Sequence, residues 1–281
     1  MTSQLKTLLL LGLLTGLLML IGGALGGRAG LFLAFGLAML MNLGSYWYSD
    51  KIVLRMYKAT ALSPGDAPLI HRVVEEMAAK AGIPKPRIVL IPQDAPNAFA
   101  TGRNPENAVV AVTRGIVNML NPDELRGVLG HELGHIANRD ILIQSIAAVL
   151  AGAIVFIANI LQFSAIFGGL SDDDDGGNPL AALAMAFLAP IAATLIQMAI
   201  SRSREYLADA TGAKLSDPLA LAGALGKLDA ASRQLPLQGN PATENLFIVN
   251  PFSGRRAASL FATHPPIEDR IARLHAMAQG R

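Results

Sequence analysis

The chain has 281 residues, of which 52% are hydrophobic and 16% charged, with a formal net charge of +2 and a mean hydropathy of +0.42. This composition is too apolar for an ordinary soluble protein. The cations flank apolar segments instead of forming a basic patch, so we expect no nucleic-acid partner. Cysteine is absent, which excludes disulfides and thiolate metal ligands.

Four long segments without any ionisable residue predict membrane helices, because about 18 to 20 apolar residues suffice to cross a bilayer. They cover residues 7–27, 29–49, 141–170 and 178–201. Only Arg28 separates the first two, which favours an N-terminal transmembrane hairpin (1–49) over a cleaved signal peptide. The second pair predicts another hairpin (141–200), for which burial inside a soluble fold is the alternative. Pro190 favours the membrane interpretation.

Charges beside these segments predict their orientation. Cations lie at the ends that face residues 50–140 and the two termini: Lys6, Lys51, Arg55, Lys58, Arg139, Arg202 and Arg204. The short loop between the third and fourth segments contains Asp172 to Asp175 and no cation. The positive-inside bias therefore predicts a multi-pass protein of a bacterial-type inner (plasma) membrane, with both termini cytoplasmic. Tyr46, Trp47 and Tyr48 match an interfacial aromatic belt.

The segment 50–140 has the pattern of a water-exposed α+β unit. In chain order we predict an amphipathic helix over 66–81, a strand over 86–92 and a β-hairpin over 97–113 with its turn around 104–107. A helix then starts after Asn121, which can cap it, with Pro122 at the first helical position. The part 201–281 predicts helices over 201–215 and 218–228, a long loop over 231–266 and a closing amphipathic helix.

The predicted helix after Asn121 contains the sequence HELGH, residues 131–135. Residues four apart lie about 40° apart around a helix axis and one turn apart along it. His131 and His135 can therefore direct two imidazole nitrogens at one zinc ion, with Glu132 beside it. Zinc lowers the pKa of a coordinated water towards neutrality, and Glu132 can take the proton as that water attacks a carbonyl carbon.

A catalytic zinc needs a third protein ligand. Ile141 stands six positions after His135, where one zincin class has its third histidine. Continued helix would place Asp140 about 140° from the face of His135, and Asp172 to Asp175 are expected across the membrane. Glu205 is the first suitable carboxylate, and two membrane crossings would return it to the side of the bilayer that carries His135.

Asp209 lies four residues after Glu205, on the same helix face. Histidines that bind a metal usually donate their other ring N–H to a carboxylate or a carbonyl. We therefore expect Asp209 to orient one of the two histidines. The alternative is that Glu205 and Asp209 are solvated charges paired with Arg202 or Arg204.

These motifs resemble those of the HtpX family of membrane-bound zinc proteases, relatives of the CAAX prenyl protease. The resemblance extends over nearly the whole chain. It rests on the two N-terminal apolar segments and on five further motifs: NAFATG (97–102), HELGH (131–135), SRSREYLAD (201–209), FIVNP (247–251) and THPP (263–266). It implies a mainly α fold of the α+β type, in which transmembrane helices carry a cytoplasmic zincin-like domain with a small β-sheet or hairpin.

The resemblance also implies a function: a zinc endopeptidase, with one Zn²⁺ per chain, that takes part in the quality control of membrane proteins at the cytoplasmic face. Its expected partners are unfolded or membrane protein substrates and the lipid bilayer, and self-cleavage is a further expectation. Asn97 and Ala98 resemble the start of an edge strand that binds substrate backbone. His264 could stabilise an oxyanion.

Two alternatives compete with this hypothesis. An intramembrane zinc protease would embed the HExxH motif in an apolar helix, whereas the helix here carries Asp123, Glu124 and Arg126. A non-catalytic membrane scaffold or chaperone could retain a structural zinc, but structural sites are normally closed by four protein ligands. Three ligands and a basic Glu132 leave an open position, which favours catalysis.

Overall fold

A computed structural model of the chain describes residues 3–150, 202–235, 241–249 and 265–280, in which helices surround a small mixed sheet. The helices are α1 Ser3–Met56, α2 Pro68–Ala81, α3 Arg114–Met119, α4 Pro122–Ala137, α5 Ile141–Leu150, α6 Arg202–Leu215, α7 Pro218–Gln234 and α8 Ile267–Ala278. Short 3-10 helices cover Pro105–Asn107 and Pro241–Leu246. The strands are β1 Thr60–Ala61, β2 Arg87–Ile91, β3 Ala98–Thr101 and β4 Val109–Thr113.

Helix α1 is a hairpin of two helical arms joined by a kink at Gly26 and Gly27. Gly27 has a φ of 56°, a left-handed conformation that glycine adopts without a steric penalty. Across the hairpin, the Nδ2 atom of Asn42 donates a hydrogen bond of 2.9 Å to Oγ1 of Thr15. The arm Gly26–Met56 is long and apolar enough to cross a membrane, and only 11% of its apolar 18-residue stretch is buried. The predicted second hairpin lies outside the described residues beyond Leu150.

The sheet has the strand order β1-β2-β4-β3. Strands β2 and β4 are parallel, while β3 and β4 form the predicted antiparallel hairpin, with Ala98 opposite Val112 and Thr101 opposite Val109. The turn of that hairpin is the 3-10 helix Pro105–Asn107, where it was expected. Strand β3 forms one edge of the sheet, although all four of its residues are buried.

Helix α4 starts at the predicted cap. The side chain of Asn121 accepts a hydrogen bond from the backbone N–H of Glu124, whose carboxylate accepts one from the backbone N–H of Asn121. This capping box satisfies donors that the first helical turn leaves unpaired. The HELGH sequence then lies in the buried second half of the helix.

Four elements differ from the sequence-based expectations. Strand β1 has two exposed residues and therefore no alternating pattern to reveal it. Helix α3 is a single short segment after β4, capped by Thr113, and was not expected. Helix α7 extends to Gln234 instead of 228, because no glycine or proline follows Leu228 until Pro236. The predicted loop 231–266 also contains the 3-10 helix Pro241–Leu246.

Candidate metal centre

Close packing of α4 against α6 brings the predicted ligands together. Gly130 and Gly134 of α4 face Gly212 and Ala208 of α6. A Cβ atom on Gly212 would lie 2.7 Å from the backbone nitrogen of His131, so any larger residue would force the two helices apart. Small residues thus allow the helix that carries Glu205 to approach the HELGH turn directly.

Three side chains converge between these helices: His131, His135 and Glu205, all buried. The two Nε2 atoms of the histidines are 3.1 Å apart. One carboxylate oxygen of Glu205 lies 3.5 Å from Nε2 of His135, and the other lies 3.7 Å from Nε2 of His131. Zinc bonds of about 2.0–2.1 Å in tetrahedral geometry place ligand atoms about 3.4 Å apart. The three side chains therefore have the spacing that one zinc ion requires.

The charge balance of the centre also fits a divalent cation. Among the described residues, its buried ionisable groups besides the histidines are four carboxylates and two guanidinium groups: Glu132, Asp140, Glu205, Asp209, Arg204 and Arg270. With both histidines neutral, as metal binding requires, and all four carboxylates ionised, this set carries two excess negative charges, which a divalent cation would compensate. The two oxygens of Glu132 are buried, and no side chain among the described residues donates a hydrogen bond to them. A carboxylate in that condition fits a site that takes up a cation and water.

Asp209 lies where the sequence predicted it, against one of the two histidines. Its Oδ1 atom is 2.8 Å from Nδ1 of His131, so that the Nε2 atom of this ring points into the centre. Arg270 of α8 donates two hydrogen bonds to the same carboxylate, of 2.8 and 2.7 Å. Burial by itself would raise the pKa of Asp209. The opposite effect of Arg270 and His131 is larger, so the pKa lies well below its ordinary value.

Asp140 approaches the other histidine, which corrects the expectation that it lies far from the face of His135. Helix α4 ends at Ala137, and Arg139 adopts a left-handed φ of 58° that turns the chain back. As a result, Oδ2 of Asp140 lies 3.6 Å from Nδ1 of His135. The other oxygen of Asp140 lies 3.5 Å from Nε of the buried Arg204. Each histidine thus has an aspartate at Nδ1 and an arginine behind that aspartate.

The pKa values of the central groups reflect burial and neighbouring charge. Burial lowers the pKa of His131 to about 4, which favours the neutral ring that binds metals. Burial alone would also lower the pKa of His135, but the carboxylates of Glu205, Asp140 and Glu132 together raise it to about 9. Burial raises the pKa of Glu132 to about 7, within the range expected of a general base.

The other predicted site residues do not belong to the three converging side chains. Asn97 and Ala98 stand at the start of the edge strand β3, and both are buried. The Nδ2 atom of Asn97 donates to the carbonyl of Val249 at 3.1 Å, and the carbonyl of Ala98 accepts from the N–H of Ile248 at 3.2 Å. His264 lies outside the described residues.

Sequence reasoning did not predict Arg270 or Arg204 as parts of the centre. Arg270 carries a signal in retrospect, because it stands within the apolar stripe of α8, between Ile267 and Leu274, and is fully buried. A charged residue at such a position is rarely buried unless it is paired. Arg204 carries no comparable signal.

Comparison with known proteins identifies the family of the chain. The model of peptidase family M48 matches residues 64–278. The protease HtpX homologue of Syntrophobacter fumaroxidans is 59% identical, over 99% of this chain and all of the relative. The homologue of Pyrococcus furiosus is 58% identical, over 97% of this chain and 95% of the relative.

A crystal structure of S. mikatae Ste24p resembles this fold with a TM-score of 0.55 and 20% sequence identity. The alignment covers 96% of this chain and 65% of that longer one, and at this identity it shows the fold alone. This likeness agrees with the mainly α fold and the small sheet that the motifs of the sequence implied. The chain belongs to peptidase family M48, among the metalloproteases of the HtpX type.

Proposed function

We propose that this metalloprotease is a zinc endopeptidase that binds one Zn²⁺ per chain through His131, His135 and Glu205. The observation that carries the proposal is the convergence of these three buried side chains within 4.8 Å of one another. Nitrogen and carboxylate oxygen donors at this spacing suit zinc. Three protein ligands leave one position open, as in catalytic sites and unlike closed structural ones.

Each residue of the centre then has a defined task. A bound zinc ion supplies a Lewis acid that polarises a carbonyl group and acidifies water. Glu132 acts as the general base, because its carboxylate lies inside the cluster and its raised pKa suits proton transfer near neutral pH. Asp209 holds His131 in the tautomer that offers Nε2, and Asp140 is placed to do the same for His135.

Substrate binding is assigned to the edge strand β3 and to His264. Asn97 and Ala98 would bind an extended substrate backbone by β-addition, since β3 is the last strand in the sheet order. His264 would stabilise the oxyanion of the tetrahedral intermediate. Both assignments follow from the family resemblance of NAFATG and THPP.

Contacts between α1 and β3 support a substrate at the membrane surface. Tyr57, directly after α1, packs on Phe99 of β3 with ring centroids 6.0 Å apart. The guanidinium of Arg103, just beyond β3, lies 4.7 Å from the ring centroid of Trp47. If Gly26–Met56 spans the bilayer, the edge strand lies beside the cytoplasmic interface, where loops of membrane proteins and unfolded chains are accessible. A role in membrane protein quality control is consistent with that position.

We further propose a multi-pass protein of the inner (plasma) membrane with the catalytic centre and both termini in the cytoplasm. Cations at the ends of the apolar segments support this orientation. The intramembrane alternative fits less well, because α4 begins with Asp123 and Glu124 and contains an exposed salt bridge from Arg126 to Glu76. Such charges are costly in hydrocarbon.

Removal of the metal tests the proposal directly. We expect purified full-length protein in detergent to cleave unfolded casein and, over time, itself. A chelator should stop both reactions, and one equivalent of Zn²⁺ should restore them. Casein cleavage and the intact mass of the protein are followed together by gel electrophoresis and mass spectrometry. Zinc-loaded protein that stays intact would exclude self-cleavage, and chelator-resistant casein cleavage would contradict the zinc mechanism.

Gly212→Ala tests the close packing of α4 and α6. Its Cβ atom would lie 2.7 Å from backbone of His131, which cannot rotate away as a side chain could. We expect a shift of α6 that moves Glu205 out of register and weakens zinc affinity about tenfold or more. Competition with a fluorescent zinc chelator measures this affinity. Gly226→Ala in α7 is the matched control, since its Cβ would meet only a side-chain atom at 3.9 Å and should leave zinc affinity unchanged.

A further inference from the structure

The outer edge of β3 is already paired with a distant part of the chain, residues 247–249, which we call the resident segment. The N–H of Ile248 donates to the carbonyl of Ala98 at 3.2 Å. One residue on, the carbonyl of Val249 accepts from Nδ2 of Asn97 at 3.1 Å. The resident segment therefore uses the two groups of the edge strand that are assigned above to the substrate backbone.

The carbonyl of Ile248 is bound as well, by a group of the metal centre. The Nη1 atom of Arg270 donates a hydrogen bond of 2.7 Å to the carbonyl oxygen of Ile248. The same nitrogen lies 3.8 Å from a carboxylate oxygen of Glu205, and the rest of the guanidinium holds Asp209. Ile248 is thus held between the edge strand on one side and a direct neighbour of the metal ligands on the other.

Packing keeps the resident segment in this place. The ring of Phe247 lies edge-on to Phe99 of β3 and to Tyr57, with centroid distances of 5.2 and 5.3 Å. Phe247, Ile248 and Val249 are all buried. Upstream, the Nδ2 atom of Asn245 donates to the carbonyl of Gln144 at 3.1 Å. These contacts fix the resident segment against the outer edge of strand β3.

We propose that the chain's own Ile248 fills the subsite of an extended substrate residue, which lies between the edge strand at Asn97 and Ala98 and the guanidinium of Arg270, until a substrate displaces it. The proposal rests on the proposed function and makes the resident segment an intramolecular competitor of the substrate. The ligand of the subsite is a peptide residue that offers an N–H to Ala98 and a C=O to Arg270, as Ile248 does. Because these hydrogen bonds involve only the backbone of the bound peptide, the subsite accepts any peptide sequence that is unfolded and extended.

A resident occupant lowers the apparent affinity for substrate. Only the fraction of molecules in which the subsite is vacant can bind, and the apparent dissociation constant rises by the inverse of that fraction. A tethered segment competes at an effective concentration that reaches the millimolar range for short flexible connections. Weakening the pairing of Ile248 should therefore lower KM and leave zinc binding unchanged.

A pair of substitutions at position 248 isolates the decisive hydrogen bond. Ile248→Pro removes the N–H that donates to Ala98, whereas Ile248→Val keeps the N–H and leaves the same number of side-chain carbons as proline. In the full-length, zinc-loaded protein we expect the proline variant to have a KM about three- to tenfold below that of the valine variant on an unfolded casein-derived peptide, the effect of about one hydrogen bond. Equal values of KM, or a higher KM for proline, would overturn the proposal.

A second measurement covers the case in which the proline variant does not fold. A peptide with the sequence of residues 243–251, TENLFIVNP, should inhibit the wild-type enzyme competitively. The same peptide methylated at the isoleucine nitrogen lacks the donor for Ala98 and should inhibit at least about threefold more weakly. Equal inhibition by both peptides, or by neither, would overturn the proposal.

Arg270→Lys tests the other end of the subsite. Lysine keeps the positive charge next to Asp209 but cannot hold its carboxylate and the substrate carbonyl at once in a planar fork. We expect zinc to be retained and KM to rise more than kcat falls. A fall confined to kcat would overturn the substrate-binding role and leave Arg270 only as the support of Asp209. A wild-type enzyme without any zinc-dependent cleavage would instead refute the proposed function itself.

Discussion

Glu132→Gln is expected to keep its zinc and to lose about 10²- to 10⁴-fold in kcat, the usual contribution of a general base. Glutamine has nearly the same shape as glutamate but cannot accept a proton from the attacking water. Glu132 does not belong to the converging set of proposed ligands, His131, His135 and Glu205, so metal affinity should change little. Zinc content by mass spectrometry and casein cleavage, measured on one preparation, check both halves of the expectation.

Glu124→Gln is the matched control for this experiment. Glu124 lies on the same helix α4, is also buried, and accepts hydrogen bonds from the cap and from Lys227 at a distance from the metal centre. Glutamine can still accept the capping hydrogen bond, so the control should retain both zinc and activity. Unchanged turnover in Glu132→Gln would refute the general-base role. If neither the wild type nor the variant cleaved casein, the result would support the hypothesis of a non-catalytic scaffold.

Glu205→Ala is expected to lose both zinc and activity. The substitution removes one of three ligands and leaves two imidazoles, for which we expect zinc affinity to fall by about 100-fold or more. The loss of a mere ligand orienter costs about 10- to 100-fold, and a direct ligand should cost at least as much. Titration with zinc, followed by a chelator competition assay and by casein cleavage, measures the two effects on the same protein.

Glu268→Ala controls for the loss of a negative charge near α8, where Glu268 lies in the first helical turn. This variant should bind zinc as the wild type does. If Glu205→Ala retained its zinc and its activity, the third ligand would lie elsewhere, and the convergence of α4 and α6 would not be the catalytic centre. A variant that loses activity but keeps zinc would assign Glu205 to chemistry other than metal binding.

Local signals were sufficient to predict the helix that carries the catalytic motif. Asn121, Pro122 and Glu124 specify its start through a capping box, which involves only residues within one turn. On a helix, the spacing of His131 and His135 then brings their rings together without help from the rest of the fold. The hairpin of β3 and β4 was predictable for the same reason, because its strands and turn are adjacent in sequence.

The approach of Glu205 to the two histidines was predicted although the residues are far apart in sequence, because few carboxylates remained as candidates for a third ligand. Carboxylates are scarce in this chain between Glu132 and Glu205, and the apolar segments between them imply a return to the same side of the membrane. Elimination is effective only when the composition leaves one suitable residue. It gave no information on the glycines that let α4 and α6 approach.

The amino-acid sequence by itself thus determined the helix that carries HELGH, the hairpin at the sheet edge and the family of this protein. Only the tertiary structure revealed that Asp140 turns back to His135, because the left-handed Arg139 breaks the helical periodicity from which its position was inferred. Only the tertiary structure brought Arg270 and Ile248 to the centre. Their partners lie far away along the chain, and contacts of that range leave no periodic pattern in a single sequence, since packing of separate elements decides them.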